Sequence, residues 1–88
     1  MNDLLEFEFM TSSEMAKAIA KKAKIIRKKK FKTQLLFAQH IGISESKYAR
    51  FEKTGQIQFV DFLSVLKGLN RIEDIKNIFD SKNEIIEW

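Results

Sequence analysis

The feature that most constrains this 88-residue chain is Gly42, which separates two stretches of helical periodicity. Apolar residues precede it at helical spacing and predict one inward face: Leu36, Phe37 and Ile41. The Thr33 hydroxyl can cap that helix, and Ser44 can cap the next one. Glycine ends a helix at little cost because it has no Cβ and tolerates the left-handed conformation. We therefore predict two short helices joined by a tight turn, which the small Ala38 allows to cross closely.

The composition favours a single all-α domain. The chain has no proline and three glycines, which argues for helices over a turn-rich all-β fold. It has no cysteine, which excludes a disulfide framework and a zinc finger. No apolar run approaches the ~20 residues of a membrane span and no secretory signal is present, so a cytoplasmic location is expected. A chain of this length has room for one modest core, and we expect a homodimer that buries more apolar surface.

Patterning divides the chain into an N-terminal arm over 1–10, a helical domain over 11–80 and a C-terminal tail over 81–88. Residues 4–10 alternate at strand spacing, and residues 84–88 form a second short apolar stretch with β-branched residues. A lone strand needs a partner edge. We predict that these two stretches pair in a small sheet, within one chain or across a dimer; two mobile tails are the alternative.

Caps and stops set the expected helix boundaries. The first helix is expected to start at a serine cap, Ser12 or Ser13. That helix is expected to end near residue 29. The last two helices are expected over residues 59–69 and 72–79, with Asn70 as a left-handed stop between them. Among the residues expected to face inward are Ile19 in the first helix and Phe59 in the fourth.

The charge is distributed unevenly along a chain whose net charge is +4. Between Met15 and Ser44 there is no acidic residue, and the basic ones are Lys17, Lys21, Lys22, Lys24, Arg27, Lys28, Lys29, Lys30 and Lys32. Beyond Gly55, acidic residues outnumber basic ones. The positive half attracts phosphates and leaves the acidic remainder for protein contacts. A solvated face explains the lysines up to Lys24 equally well, so only residues 27–30 of the first helix are expected near phosphate.

A denser pattern lies between residues 33 and 55. Its members are Thr33-Gln34, Ala38, Gly42-Ile43-Ser44, Phe51-Glu52 and Gly55. In these residues the chain resembles Cro/repressor-type (XRE-class) helix-turn-helix DNA-binding proteins, and the flanking helices extend the resemblance to most of the chain. It departs from their pattern at Phe37, at an additional Thr54, and at Gln58, where a serine or threonine usually caps the next helix. The resemblance implies a five-helix lambda-repressor-like domain that represses transcription as a homodimer on palindromic operator DNA.

The resemblance also nominates DNA-contacting residues, because the second helix of this motif enters the major groove by its N-terminal end. Glu45, Ser46 and Arg50 are expected to reach bases, and the planar fork of Arg50 suits the O6 and N7 acceptors of guanine. Glu45 either accepts from a cytosine amino group or lies away from the DNA. The expected phosphate contacts are Thr33, Gln34, Ser44, Lys47 and Lys53. For Thr33 and Ser44, capping alone is the alternative.

Other side chains of this region are expected to be structural. Tyr48 and Phe51 should lie in the core. The resemblance implies that Glu52 pairs inside the domain, and Arg27 is the partner we expect. His40 has no cysteine or second histidine at ligand spacing. No serine–histidine–acid set or phosphate-binding loop is visible either. We therefore expect no metal, no cofactor and no enzymatic activity.

Within its class, the chain resembles HipB-like antitoxins of toxin–antitoxin modules in its minimal repressor domain, its short terminal strands and its final Glu87-Trp88. This resemblance implies that the protein represses its own operon and binds a HipA-type serine/threonine kinase toxin. Ile85, Ile86 and Trp88 suit an anchor for a partner pocket, and closure of the chain's own core by Trp88 is the alternative. A phage-type Cro/repressor regulator and a protein-interaction module without specific DNA readout are the competing functions.

Overall fold

The structure is a computed structural model that describes residues 7–80, and these residues are all-α. Their complete helices are α1 (Ser12–Lys30), α2 (Gln34–Ile41), α3 (Glu45–Thr54), α4 (Phe59–Gly68) and α5 (Ile72–Phe79). α1 packs against α3, α2 packs against α3 and α4, and α5 packs against α4. The all-α class and the predicted helices are confirmed. None of the helices in this described part is long and apolar enough to cross a membrane.

The N-terminal arm differs from its prediction where the structure describes it. Phe7 and Glu8 are helical, and the Met10 N–H donates to the Phe7 carbonyl at 3.2 Å. The strand predicted over 4–10 is therefore wrong for residues 7–10, because a local turn satisfies backbone groups that a strand would have to pair with another edge. The rest of that stretch and the strand predicted over 84–88 lie outside the described residues.

A capping box starts α1 one residue before the predicted caps. The Glu14 N–H donates to Thr11 Oγ1 at 3.1 Å, and the Thr11 N–H donates to Glu14 Oε1 at 2.9 Å. Thr11 is the cap because the glutamate stands three residues beyond it, the spacing that these reciprocal bonds require. α1 then buries two alanines, Ala20 and Ala23, and one charged residue, Arg27.

The turn between α2 and α3 has the predicted geometry. Thr33 caps α2 by accepting from the Leu36 N–H at 3.1 Å, and Ser44 caps α3 by accepting from the Lys47 N–H at 3.2 Å. Between the helices, Gly42 adopts the left-handed conformation with φ +79°. Residues with a Cβ rarely adopt this conformation, so the glycine sets the angle at which the chain leaves α2.

Aromatic side chains fill the space between the first four helices. Phe37, Tyr48 and Phe51 are fully buried, and the rings of Phe37 and Tyr48 meet edge to face with centroids 4.9 Å apart. The smaller members of the core are Ala20, Ala23, Ala38, Val65 and Leu69. The core positions predicted for Tyr48 and Phe51 are confirmed.

Three residues predicted to face inward are exposed: Ile19, Leu36 and Phe59. Leu36 is 51% exposed because the neighbouring Phe37 occupies the inward position, and a run of consecutive apolar residues does not fix the phase of a short helix. On α1, the inward line runs through the alanines, which bring α3 close. Phe59 is the first residue of α4 and precedes the part of that helix that enters the core.

The end of α4 was predicted to within one residue. The helix ends at Gly68, and Asn70 follows with φ +61°, so the predicted left-handed stop is confirmed. Gly68 also allows close packing of α4 on α2, because a Cβ there would collide with Ile41 and Phe37. Gln58 precedes α4 without a side-chain capping bond to that described helix.

Candidate functional site

The exposed face of α3 is the candidate site. Tyr48 and Phe51 turn towards the core, which leaves the opposite side of the helix to solvent. The exposed face of α3 consists of Glu45, Ser46, Lys47, Arg50 and Lys53. With 3.6 residues per turn, Ser46, Arg50 and Lys53 follow one another along one side. The structure therefore brings five predicted site residues to one solvent-facing surface.

A buried ion pair fixes α3 from behind. Arg27 of α1 donates from Nε to Glu52 Oε2 and from Nη2 to Glu52 Oε1, both at 3.0 Å. Their side chains are only 3% and 2% exposed. The third guanidinium nitrogen of Arg27, Nη1, donates to the carbonyls of Phe31 and Lys32, each at 3.1 Å. The guanidinium thus ties α1, the following loop and α3 together through fixed geometry.

This pair confirms one prediction and corrects another. Glu52 pairs with Arg27 as expected, but Arg27 itself is buried and is not available to a phosphate with residues 28–30. The carboxylate raises the pKa of Arg27. Burial alone would raise the pKa of Glu52, but hydrogen bonds from Arg27 and Gln34 hold it below its ordinary value of 4.5.

Gln34 belongs partly to this buried cluster. Its Nε2 donates to Glu52 Oε1 at 2.8 Å, and the residue is half-buried. One amide hydrogen is thereby used inside the protein. The phosphate contact predicted for Gln34 would therefore have to use the second amide hydrogen or the backbone N–H at the start of α2.

The Tyr48 hydroxyl lies beside the same cluster. It is buried and makes no well-formed hydrogen bond to any group among residues 7–80. Burial, together with the neighbouring Glu52 carboxylate, raises the pKa of Tyr48 far above its ordinary value. The hydroxyl therefore stays neutral, and the ring serves the core.

Hydroxyl residues stand at the starts of α2 and α3. Thr33 and Ser44 are exposed, and each uses its hydroxyl oxygen as an acceptor to cap its helix. A hydroxyl that accepts can still donate its hydrogen. Ser46 lies within reach of Ser44, with the two hydroxyl oxygens 3.4 Å apart. Capping is confirmed for both residues, and it leaves one donor on each for a further acceptor.

The end of α3 contains a contact that sequence reasoning did not find. Arg50 Nη2 donates to Gln56 Oε1 at 2.6 Å. The additional residue, Thr54, donates its hydroxyl to the Arg50 carbonyl at 2.8 Å and accepts from the Gln56 N–H at 3.1 Å. Thr54 therefore completes the last turn of α3 before Gly55 ends the helix in the left-handed conformation. No periodicity signals Gln56, because its position depends on that turn.

The basic stretch of the sequence lies at the surface. The lysines of the acid-free stretch are all exposed: Lys17, Lys21, Lys22, Lys24, Lys28, Lys29, Lys30 and Lys32. His40 is exposed and stacks on Phe31 with ring centroids 4.9 Å apart. Within residues 7–80, no group of histidine and carboxylate side chains is arranged to hold a metal ion. Trp88 lies outside the described residues.

Comparisons with protein families, with curated sequences and with solved structures found no match for the chain.

Proposed function

We propose that the protein is a sequence-specific DNA-binding repressor of the lambda-repressor-like fold, in which α2, the turn at Gly42 and α3 form a helix-turn-helix. The observation that carries the proposal is the two-sided character of α3. One side is fixed in the core and by the Arg27–Glu52 pair, and the other presents Arg50 and two lysines to solvent. A helix held in this way can enter a major groove without rearrangement.

The chemistry of the exposed face of α3 suits duplex DNA. Arg50 supplies a planar fork for guanine, and Ser46 supplies a hydroxyl for a base or a phosphate. Glu45 can accept from the amino group of cytosine. Lys47 and Lys53 suit phosphates, as do the backbone N–H groups and free hydroxyl hydrogens at the starts of α2 and α3.

A homodimer on a palindromic operator is part of the proposal. An apolar groove of about 500 Å³ lies between α1, α4 and α5, with Ile19, Ile26, Leu66, Ile75 and Ile78 among its lining residues. Lys22, Arg71 and Asp74 also line it. Two-fold symmetry would bring a basic residue of each copy to Asp74 of the other, so we assign a second copy of the chain to this groove.

Sedimentation equilibrium tests that assignment. Ile78→Asp should make the protein monomeric, because Ile78 is exposed within the groove. Val60→Asp is the matched control, since Val60 is an apolar residue of similar exposure outside the groove. An Ile78→Asp protein that remains dimeric would exclude this face as the interface.

The resemblance to HipB-like antitoxins leads us to propose further that the repressor controls its own operon and binds a HipA-type kinase toxin. The support is the apolar sequence Ile85-Ile86 together with Trp88, an aromatic residue that suits a partner pocket. Deletion of Glu87-Trp88 should weaken kinase-toxin binding. Unchanged affinity would favour a role of Trp88 within this chain.

The DNA-binding proposal is tested by selection from a pool of random duplexes. The protein should enrich a pseudo-palindrome whose half-sites lie about 34 Å apart, and affinity should fall steeply with salt as lysines displace counterions. Arg50→Ala should lose the selected preference. A pool that stays random, with binding indifferent to salt, would instead favour the protein-interaction module.

A further inference from the structure

The hydrogen bonds at the end of α3 form a closed network around Arg50. The Arg50 guanidinium donates to the Gln56 side chain, and the Arg50 carbonyl accepts from Thr54. Thr54 in turn accepts from the Gln56 backbone N–H. Both ends of Arg50 are thus connected to Gln56, one directly and the other through Thr54.

This network restrains a side chain that would otherwise be mobile. Arg50 is exposed, and an exposed arginine samples many rotamers that are lost when it binds a base. The contact with Gln56 removes much of that freedom before any ligand arrives. The donor is charged, and hydrogen bonds from a charged donor are stronger than those between neutral groups.

The contact leaves Arg50 able to bind a base. A guanidinium has five N–H donors, and Nη2 contributes one hydrogen to each of two forks, one shared with Nε and one with Nη1. Gln56 uses one Nη2 hydrogen. The other Nη2 hydrogen still forms a complete fork with Nε or with Nη1, which is what bidentate contact to guanine O6 and N7 needs.

We propose that Gln56 is a positioning residue for Arg50: it holds the guanidinium so that its free fork faces a guanine, and Thr54 sets the position of Gln56. The inference rests on the proposed DNA-binding function and deepens it. It assigns a role to two residues outside the expected DNA contacts, Gln56 and Thr54.

The experiment is a double-mutant cycle on the selected duplex. The base pair read by Arg50 is the one whose replacement no longer changes affinity in Arg50→Ala. Discrimination is the ratio of the affinities for the selected duplex and for the duplex with that pair replaced. Gln56→Ala should reduce this ratio about 2- to 10-fold, which is the effect of freeing one rotamer-rich side chain. In the Arg50→Ala background, Gln56→Ala should change nothing further.

Matched variants separate positioning from other roles. Gln39→Ala removes the same type of exposed side chain from α2, away from the pocket that Arg50 and Gln56 line, and should leave discrimination intact. Thr54→Val should reproduce the loss, and Thr54→Ser, which keeps the hydroxyl, should restore discrimination. Equal melting temperatures of the Gln56 variant and the wild-type protein show that the fold is retained.

The outcomes distinguish the two proposals. If the wild-type protein prefers no duplex, the DNA-binding function itself fails. If it discriminates and Gln56→Ala discriminates equally well, the positioning role alone is excluded. If Gln56→Ala weakens binding by the same factor with and without Arg50, Gln56 acts independently of Arg50 and the positioning role is again excluded.

Discussion

Arg27 and Glu52 stand 25 positions apart in the chain and form a bidentate ion pair, with both N···O distances 3.0 Å, between α1 and α3. The pair lies behind the exposed face of α3. It sets the orientation of the helix that carries Arg50 while taking no part in that surface. Gln34 adds a bond to the same carboxylate, so the start of α2 is held in the same cluster.

Removal of one partner of the ion pair should destabilise the protein more than replacement of both partners by apolar residues. Removal of one partner by Glu52→Leu leaves the buried Arg27 charge unpaired and should cost about 3–5 kcal/mol of unfolding free energy. The double variant Arg27→Met/Glu52→Leu removes both charges and should cost less than this single change. Urea unfolding measures both values. Additive losses in the double variant would contradict a coupled buried pair.

The same pair should make stability depend on pH below 4.5. The pKa of Glu52 in the folded protein lies below its ordinary value of 4.5. Its contribution is therefore present above pH 4.5 and is lost as the pH falls through the lower folded pKa. Glu52→Gln lacks this group, so its unfolding free energy should decline less than that of the wild-type protein over the acidic range. Parallel pH profiles of the two proteins would exclude the ionised Glu52 as a stabilising group.

Two glycines with the same backbone conformation should respond differently to alanine. Gly42 and Gly55 have φ +79° and +80°, so either substitution carries a left-handed penalty of about 1–2 kcal/mol. A Cβ on Gly55 would also lie 2.5 Å from the carbonyl carbon of Ala16, whereas no described atom lies within 4 Å of one on Gly42. Gly55→Ala should therefore cost about 1–3 kcal/mol more than Gly42→Ala in thermal unfolding. Equal losses would mean that α1 does not approach this turn closely.

Two cations on the exposed face of α3 should differ in their effect on DNA binding. Arg50→Ala should cost about 1–3 kcal/mol at one base pair and relax the preference there. Lys47→Ala should weaken binding to all duplexes alike. It should also lower by about 1 the slope of the logarithm of the binding constant against the logarithm of the salt concentration. Lys76→Ala, at an exposed position of α5, is the control and should change neither quantity. Uniform weakening by Arg50→Ala would contradict its role as a base reader.

Local sequence signals predicted the parts of the fold that depend on neighbouring residues. The Thr33 and Ser44 caps, the left-handed Gly42 and Asn70, and the bounds of α5 are of this kind. The exposure of Leu36 was missed because three apolar residues in a row leave the helix phase open. The Arg50–Gln56 contact was missed because it forms across the end of α3, where the path is set by Thr54 and Gly55.

The strand predicted over residues 4–10 shows that a local pattern can also mislead. Its strand spacing involved few residues, and the described part instead forms a helical turn closed by one hydrogen bond between Met10 and Phe7. Arg27 was expected both to pair with Glu52 and to lie near phosphate with residues 28–30, and only the first expectation is confirmed. Its place in a basic stretch suggested exposure, but the Glu52 carboxylate holds the guanidinium in the interior.

The central claim, that α3 presents its exposed face to duplex DNA, is tested most directly by amide chemical shifts of the ¹⁵N-labelled protein on addition of the selected duplex. The account predicts that the largest shifts fall on residues 44–50, at the start of α2 and at Gln56. Shifts confined to the groove between α1, α4 and α5, or a spectrum that no duplex changes at low salt, would contradict it.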